Sequence, residues 1–288
     1  MMFKGKDMSS NKKFSIDKTK CIKCKKCIEV CPMRLLEWSI EKKEVTYTED
    51  VENFCHKCCH CLLICNEKAI ELPGIDNSNL TASSFNESSS IVEELIQNRR
   101  SIRKYKADKI PLDEIKKIIF TASHAPSASN SRLLNWKVYS DQKIIHEISK
   151  LTVEWMKCQL AVKGSFLSER YVKIFNRYIN SWNNGIDGIL RSAPHFVIVY
   201  GPDTGIMRHI DGVVALDYFE FSAVSKGFGT CWAGLFYYAF EDNYKPLAEL
   251  IDLPENQVCY GAMMFGYPKY KYPLTQVKKE ANICFIDN

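Results

Sequence analysis

The sequence predicts an α+β protein of two unequal domains, and three observations carry that prediction. Cysteine is crowded into the first quarter of the chain, a polar stretch without periodicity follows, and helical and strand-like patterns then alternate. At 288 residues, with 46% hydrophobic and 25% charged residues, the chain is long enough for one large core and a small satellite domain. Its 39 basic and 34 acidic residues are interleaved and leave a formal charge of +5, which gives no footprint for nucleic acid. Met1 to Lys20 is basic but no apolar stretch follows it, so it does not read as a secretory signal. No run approaches the ~20 apolar residues that span a bilayer. The expectation is a cytoplasmic protein without a membrane or nucleic-acid partner.

Thirteen cysteines in such a chain read as ligands or free thiols rather than disulfides. Nine of them fall between Cys21 and Cys65, so the metal chemistry is local. Cys21, Cys24, Cys27 and Cys31, followed by Pro32, form a C-x2-C-x2-C-x3-C-P run. Cys55, Cys58, Cys61 and Cys65 repeat the spacing and end on Asn66. A tight loop of this kind turns three thiolates toward one iron-sulfur cube, and the fourth cysteine leads away to the other cube. The expected sets are Cys21, Cys24, Cys27 and Cys65 for one [4Fe-4S] cluster, and Cys55, Cys58, Cys61 and Cys31 for a second. Cys59 is spare. A zinc reading that uses His56 and His60 competes, but zinc takes four ligands per site, and two identical four-thiolate runs have no such economy. Between the runs, Met33 to Glu41 reads as helix and Val45 to Thr48 as strand. The segment, residues 1–75, resembles the bacterial ferredoxin fold, which implies little hydrophobic core and stability drawn largely from metal-sulfur bonds.

Residues 76–90, from Asp76 through Ser90, are polar and turn-forming and read as a linker. The second domain is expected over 91–288. It opens on Ile91, Val92, Leu95 and Ile96 at helical spacing, with serines ahead as caps. A helical pattern over Leu112 to Ala122 alternates with strand-like runs at Trp136–Tyr139, Phe196–Tyr200 and Val258–Phe265. Asp211 to Lys226 is apolar nearly all round, which predicts a buried central helix.

Four blocks in this domain carry chemistry. Arg99, Arg100, Ser101 and Arg103 lie in an R-R-S-x-R run; Pro126, Ser127, Ala128, Ser129 and Asn130 form P-S-x-x-N; Gly229 to Gly234 includes Cys231, Trp232, Ala233 and Gly234; Gly266 to Lys269 is the last. Several cations and hydroxyls suit a phosphate and an electron-rich flavin edge. Together the blocks resemble the nitroreductase family over about Ile91 to Pro273. The resemblance implies a dimeric FMN-binding fold with a central sheet flanked by helices. It implies Arg99 and Ser101 at the FMN phosphate, Arg103 at the pyrimidine edge, and Lys269 or Lys271 completing the phosphate site. It also implies that the loop of Ser127, Ser129 and Asn130 reaches the flavin from a partner subunit, and that Ala233 and Gly234 present a backbone N–H to flavin N5, flanked by Cys231 and Trp232. Where many relatives continue with Gln-Pro after the loop, this chain has Arg132-Leu133. Gly227-Phe228-Gly229 starts like a dinucleotide fingerprint, but Trp232 stands in place of the third glycine, so no NAD-binding Rossmann domain is expected.

Trp155, Tyr171, Phe175, Tyr178 and Trp182 read either as core or as a lid over the flavin. The functional expectation is an FMN- and iron-sulfur-dependent oxidoreductase passing electrons from the clusters to FMN and on to a small organic acceptor such as a nitroaromatic, quinone or activated alkene. Reduced ferredoxin, flavodoxin or NAD(P)H is the expected donor. Two alternatives stand beside it: a non-catalytic electron carrier or redox sensor, and a specialised relative such as a reductive dehalogenase.

Overall fold

A computed structural model describes residues 13–82, 91–128, 131–162, 168–204, 207–276 and 281–286. The chain divides into two compact units, one drawn from Met1–Ser89 with Lys271–Asn288, the other from Ser90–Tyr270.

In the first unit, β1 (Ser15–Ile16) leads to α1 (Lys26–Val30), β2 (Leu36–Ser39), β3 (Glu44–Tyr47), α2 (Val51–Phe54), α3 (His60–Leu63), β4 (Ile70–Glu71) and β5 (Leu80–Ala82). Strands β1 and β4 pair, as do β2 and β3, all antiparallel. The helix expected over Met33–Glu41 is instead the strand β2, paired with β3 in the register Leu36↔Tyr47 through Ser39↔Glu44. Cross-strand pairing overrides local propensity here: Leu36 and Val45 bury one face, while Lys43 takes a left-handed turn position (φ 48). The unit also holds more apolar core than expected, since Phe14, Val30, Leu35, Leu62, Leu63 and Ile70 are all buried. Within the segment expected as linker, Leu80–Ala82 pairs antiparallel with the C-terminal strand Leu274–Gln276, whereas 83–90 lies outside the described residues.

The second unit runs α4 (Ile91–Asn98), α5 (Leu112–Ala122), β6 (Asn135–Tyr139), α6 (Gln142–Ala161), α7 (Glu169–Asn183), β7 (His195–Pro202), α8 (Arg208–Ser225), β8 (Gly229–Trp232), α9 (Gly234–Glu241), α10 (Lys245–Ile251) and β9 (Gln257–Gly266). Its sheet has the order β6-β7-β9-β8, antiparallel throughout, so it is not a Rossmann sheet. The period-2 alternation of β7 sorts two cores. Phe196 and Ile198 pack with α6, α7, α9 and α10, whereas Val197 and Val199 pack with α5 and α8. Helix α5 buries Ile115, Ile118 and Ala122 at helical spacing, and Asp141 caps α6 by accepting the Lys143 N–H at 2.8 Å.

Helix α8 departs from the expected all-round burial. Leu216, Phe219 and Ala223 are buried, but Ile210 and Val213 remain 52% and 42% exposed. Of the aromatics read as core or lid, Trp155 and Phe175 are buried in the core, Tyr178 and Trp182 pack against it, and Tyr171 stays exposed. No helix among the described residues is long and apolar enough to cross a membrane.

Candidate functional site

The two cysteine runs adopt the same backbone shape, which their spacing alone does not dictate. Two and four residues after the first cysteine, Lys23 (φ 60) and Lys25 (φ 62) are left-handed, and so are Lys57 (φ 49) and Cys59 (φ 60) in the second run. Three residues past the fourth cysteine, Arg34 (φ 51) and Lys68 (φ 49) repeat the match. These turns close through Arg34 N–H to Cys31 O at 3.3 Å and Lys68 N–H to Cys65 O at 3.1 Å, so Asn66 does in the second run what Pro32 does in the first. Each fourth cysteine also accepts a backbone N–H four residues on: Leu35 to Cys31 Sγ at 3.3 Å and Ala69 to Cys65 Sγ at 3.4 Å. Cys59 occupies the position of Lys25, not that of a run cysteine, and points its thiol at Lys57 O, 3.3 Å away.

One cavity is lined by Cys21, Cys24, Cys27 and Cys65, and another by Cys31, Cys55, Cys58 and Cys61 with the spare Cys59, so each cavity takes the fourth cysteine of the other run. Burial, then the neighbouring Cys21, Cys24 and Cys65, push the Cys27 thiol up to about 12, and burial holds Cys61 well above the ordinary thiol range. Four thiolates share such a space only when cations compensate them. Among the described residues, no three His, Cys, Asp or Glu side chains converge on a single-ion site. His60 is buried and sets its Nδ1 3.2 Å from Cys58 O, with its ring edge-on to Tyr272.

In the second unit, three of the four blocks meet at one end of the sheet. The R-R-S-x-R segment leaves α4 and lies along β8: Ser101 bridges Thr230 in parallel, and Ile102 donates its N–H to Thr230 O at 2.7 Å. Gly229 permits this approach, because a Cβ there would stand 2.4 Å from the Ile102 side chain. The Gly266–Lys269 block lies beside it, with a Tyr105–Pro268 bridge and Lys269 N–H to Lys104 O at 2.9 Å. Gly229 also pairs with Gly266 in the sheet. The Arg103 guanidinium donates to Ser101 O at 3.3 Å, and that of Arg100 to Arg99 O at 3.3 Å.

Cys231 and Ala233 are buried, and Trp232 packs its ring over Gly261. Ala233 gives its N–H to Ala262 O at 2.9 Å, which leaves the next N–H, that of Gly234, as the first of α9, where no intrahelical acceptor exists. A Cβ on Gly234 would meet nothing within 4 Å, so this position faces open space.

The fourth block lies elsewhere. Ala128 N–H donates to both carboxylate oxygens of Asp211, at 3.0 and 3.2 Å, and Ser127 Oγ accepts the Arg132 N–H at 3.0 Å. Pro126 precedes this turn, and Ser129 and Asn130 lie outside the described residues. Asp211 opens α8, whereas Glu220, beside Arg99, is nine residues further along, about 13 Å of helix. Lys269 belongs to the second unit, its Nζ 5.2 Å from the Tyr270 ring centre, and Lys271 belongs to the first.

Sequence reading missed two residues at the converging end. Glu220 is buried on α8; its Oε1 accepts the Thr230 hydroxyl at 2.7 Å and its Oε2 lies 3.5 Å from the Arg99 guanidinium. Arg191, in the turn before β7, has a buried Nε without a hydrogen-bond partner among the described residues. Nothing in the local sequence marks either one, since an acid on an apolar helix and an arginine in a turn read as ordinary.

The sequence profile of the nitroreductase family matches residues 96–267, and that of a 4Fe-4S binding domain matches residues 13–36. Over 175 residues, 61% of this chain and 84% of the relative, the chain is 27% identical to a protein of Archaeoglobus fulgidus that carries the name NADH dehydrogenase/NAD(P)H nitroreductase. Over 55 residues, 19% of this chain and 70% of the relative, it is 40% identical to an uncharacterized ferredoxin of Methanocaldococcus jannaschii. A crystal structure of a nitroreductase with bound FMN from Bacteroides fragilis superposes with a TM-score of 0.55 at 20% identity, covering 69% of this chain and 100% of that one, a likeness of fold.

Proposed function

Because the chain belongs to the nitroreductase family and its N-terminal segment is of ferredoxin type, we propose that it is an FMN-dependent oxidoreductase whose two [4Fe-4S] clusters deliver electrons for reduction of a small organic acceptor such as a nitroaromatic, quinone or activated alkene. The observation that carries this reading is the exchange of fourth cysteines between two matching loops. Cys21, Cys24, Cys27 and Cys65 would hold one cluster, and Cys31, Cys55, Cys58 and Cys61 the other, with the N–H groups of Leu35 and Ala69 easing charge on the two exchanged sulfurs. When bound, the clusters supply single electrons and FMN supplies hydride or single-electron chemistry.

The protein's own part is to bind and orient. Arg99, held by Glu220, together with Ser101 and Lys269, would take the FMN phosphate; Arg103 would take the pyrimidine edge, where a cation favours the reduced flavin. The open face at Gly234 leaves room for a planar ring against the helix start. Ser127 and Ala128, the described end of the P-S-x-x-N block, sit by Asp211, about 13 Å along α8 from the Glu220 beside Arg99, and the family resemblance has this loop reach the flavin from a second copy. Ile210 and Val213 on α8, and Ile91 and Val92 on α4 at 80% and 63% exposure, give that copy an apolar face, which supports a homodimer.

Anaerobic purification with iron, sulfide and flavin analysis tests the reading. About eight irons and one FMN per chain are expected; iron without flavin would reduce the protein to a carrier. The donor is an external ferredoxin or flavodoxin on this proposal. Fast flavin reduction by NAD(P)H alone, in a variant lacking Cys21 and Cys55, would overturn the cluster route.

A further inference from the structure

We propose that the cavity framed by α6, α7 and α9 is a binding site for an organic cation. Four aromatic side chains line it, Trp155, Tyr171, Phe175 and Tyr238, around a volume of about 410 Å3, within the size range of small-molecule sites. Its charged lining residues, among those described, are Glu241 and Asp242, and no lysine or arginine joins them.

Three of the rings are contiguous, and Tyr238 lines the cavity with them. Trp155 and Phe175 have centroids 5.4 Å apart, and Tyr171 meets Phe175 edge-on at 6.4 Å. Tyr171 and Tyr238 are 45% and 56% exposed, so their faces are reachable from solvent. Aromatic faces carry the negative end of the ring quadrupole, and several together attract a weakly hydrated cation, as in aromatic cages for quaternary ammonium groups.

The carboxylates point to the same ligand. Asp242 Oδ2 accepts Trp155 Nε1–H at 2.7 Å and Gln159 Nε2–H at 2.6 Å, which fixes both the indole and the carboxylate while Oδ1 makes no bond among the described residues. The Glu241 carboxylate likewise has no ion pair or hydrogen bond among them. A neutral aromatic ligand would draw nothing from the two carboxylates, and an anion would be repelled. A quaternary or delocalised nitrogen cation with an apolar body satisfies rings and carboxylates at once. This assignment stands without the flavin reading, since none of the residues proposed for FMN lines the cavity.

Calorimetric titration of the anaerobically purified holoprotein with three probes tests the proposal: benzyltrimethylammonium, its uncharged carbon isostere neopentylbenzene, and benzenesulfonate. The cation is expected to bind about tenfold tighter than the isostere, and the anion more weakly than either. Glu241→Gln is expected to lower affinity for the cation about fivefold and leave that for the isostere unchanged, and Tyr238→Ala to weaken the cation by a similar factor. Flavin-stripped protein keeps the same preference, so failure of the FMN reading would not remove this site. Equal binding of cation and isostere, an unchanged preference in the Glu241 variant, or no cation binding would overturn it.

Discussion

At the scale of single residues, the proposed role of Arg99 at the FMN phosphate is tested by comparing flavins with and without that phosphate. Its guanidinium lies 3.5 Å from a buried carboxylate of Glu220 and remains 37% exposed, so it is held at one edge and open at the other. A charge-assisted contact of this kind contributes roughly 1.5–3 kcal/mol. Arg99→Ala is therefore expected to weaken FMN binding about 10- to 100-fold and to leave riboflavin, which lacks the phosphate, unaffected; equal losses for both ligands in fluorescence titrations would refute the assignment. His195 makes a second residue-scale prediction. Its Nε2 accepts the Ile110 N–H at 2.8 Å and its Nδ1 lies 2.7 Å from Ser140 Oγ, an arrangement that suits the neutral ring. Burial, with Lys109 nearby, lowers its pKa from 6.5 to about 4. The unfolded chain thus takes up the proton first as pH falls, so this stabilisation is complete above pH 6.5 and declines toward pH 4. Between about pH 7 and pH 5 the protein is expected to lose roughly 2 kcal/mol more than His195→Gln in urea unfolding. Parallel pH dependences would show that His195 is not the group responsible.

At the scale of elements, the seam between the R-R-S-x-R segment and β8 joins sequence blocks more than a hundred residues apart. A methyl group on Gly229 would press 2.4 Å from the Ile102 side chain and force the seam open. Gly229→Ala is expected to cost about 1–3 kcal/mol and to release flavin on desalting, while Gly227→Ala, with nothing within 4 Å of its Cβ, serves as a strain-only comparison at φ +82. If both variants retain flavin and lose equal stability, the seam does not position the cofactor. What was legible in the sequence follows the same division. Helix α5 matches its sequence pattern end to end, and β6, β7 and β9 extend theirs by one, three and two residues, because periodicity over that length reports which face is buried. The strand Leu36–Ser39 was illegible as a strand because its partner, not its own residues, decides its conformation. The helix Asp211–Lys226 reads as buried all round, yet Val213 and Tyr218 are exposed in this chain, because hydrophobicity in the sequence marks a preference for burial and not the surface that provides it. Glu220 and Arg191 carry no local signal, because their meaning depends on Arg99 and on the turn before β7.

At the scale of the whole molecule, two compact units with different sources of stability predict a response to iron removal that is confined to one of them. The second unit rests on a sheet covered on both faces, with Phe196, Phe219, Phe236 and Phe265 fully buried. The first has the smaller core of Phe14, Leu35, Leu62, Leu63 and Ile70, beside the two cysteine runs, in which burial raises the thiol pKa values of Cys27 and Cys61. The cysteine spacing predicts a unit that depends on its clusters, but its apolar core was not anticipated, because short strands that pair across the cysteine loops leave too little periodicity to read. If these eight cysteines hold the two proposed clusters, removing iron breaks eight cross-linking ligand bonds, and ligand-coupled stability of that kind amounts to several kcal/mol. Because one kcal/mol moves the midpoint of a domain this small by about 4–8 °C, chelation under reducing conditions is expected to lower one calorimetric transition by roughly 20 °C or abolish it. The other transition should keep its midpoint to within a few degrees. Two unchanged transitions would mean that the small core holds the unit without metal; two transitions shifted together would mean that the units unfold as one.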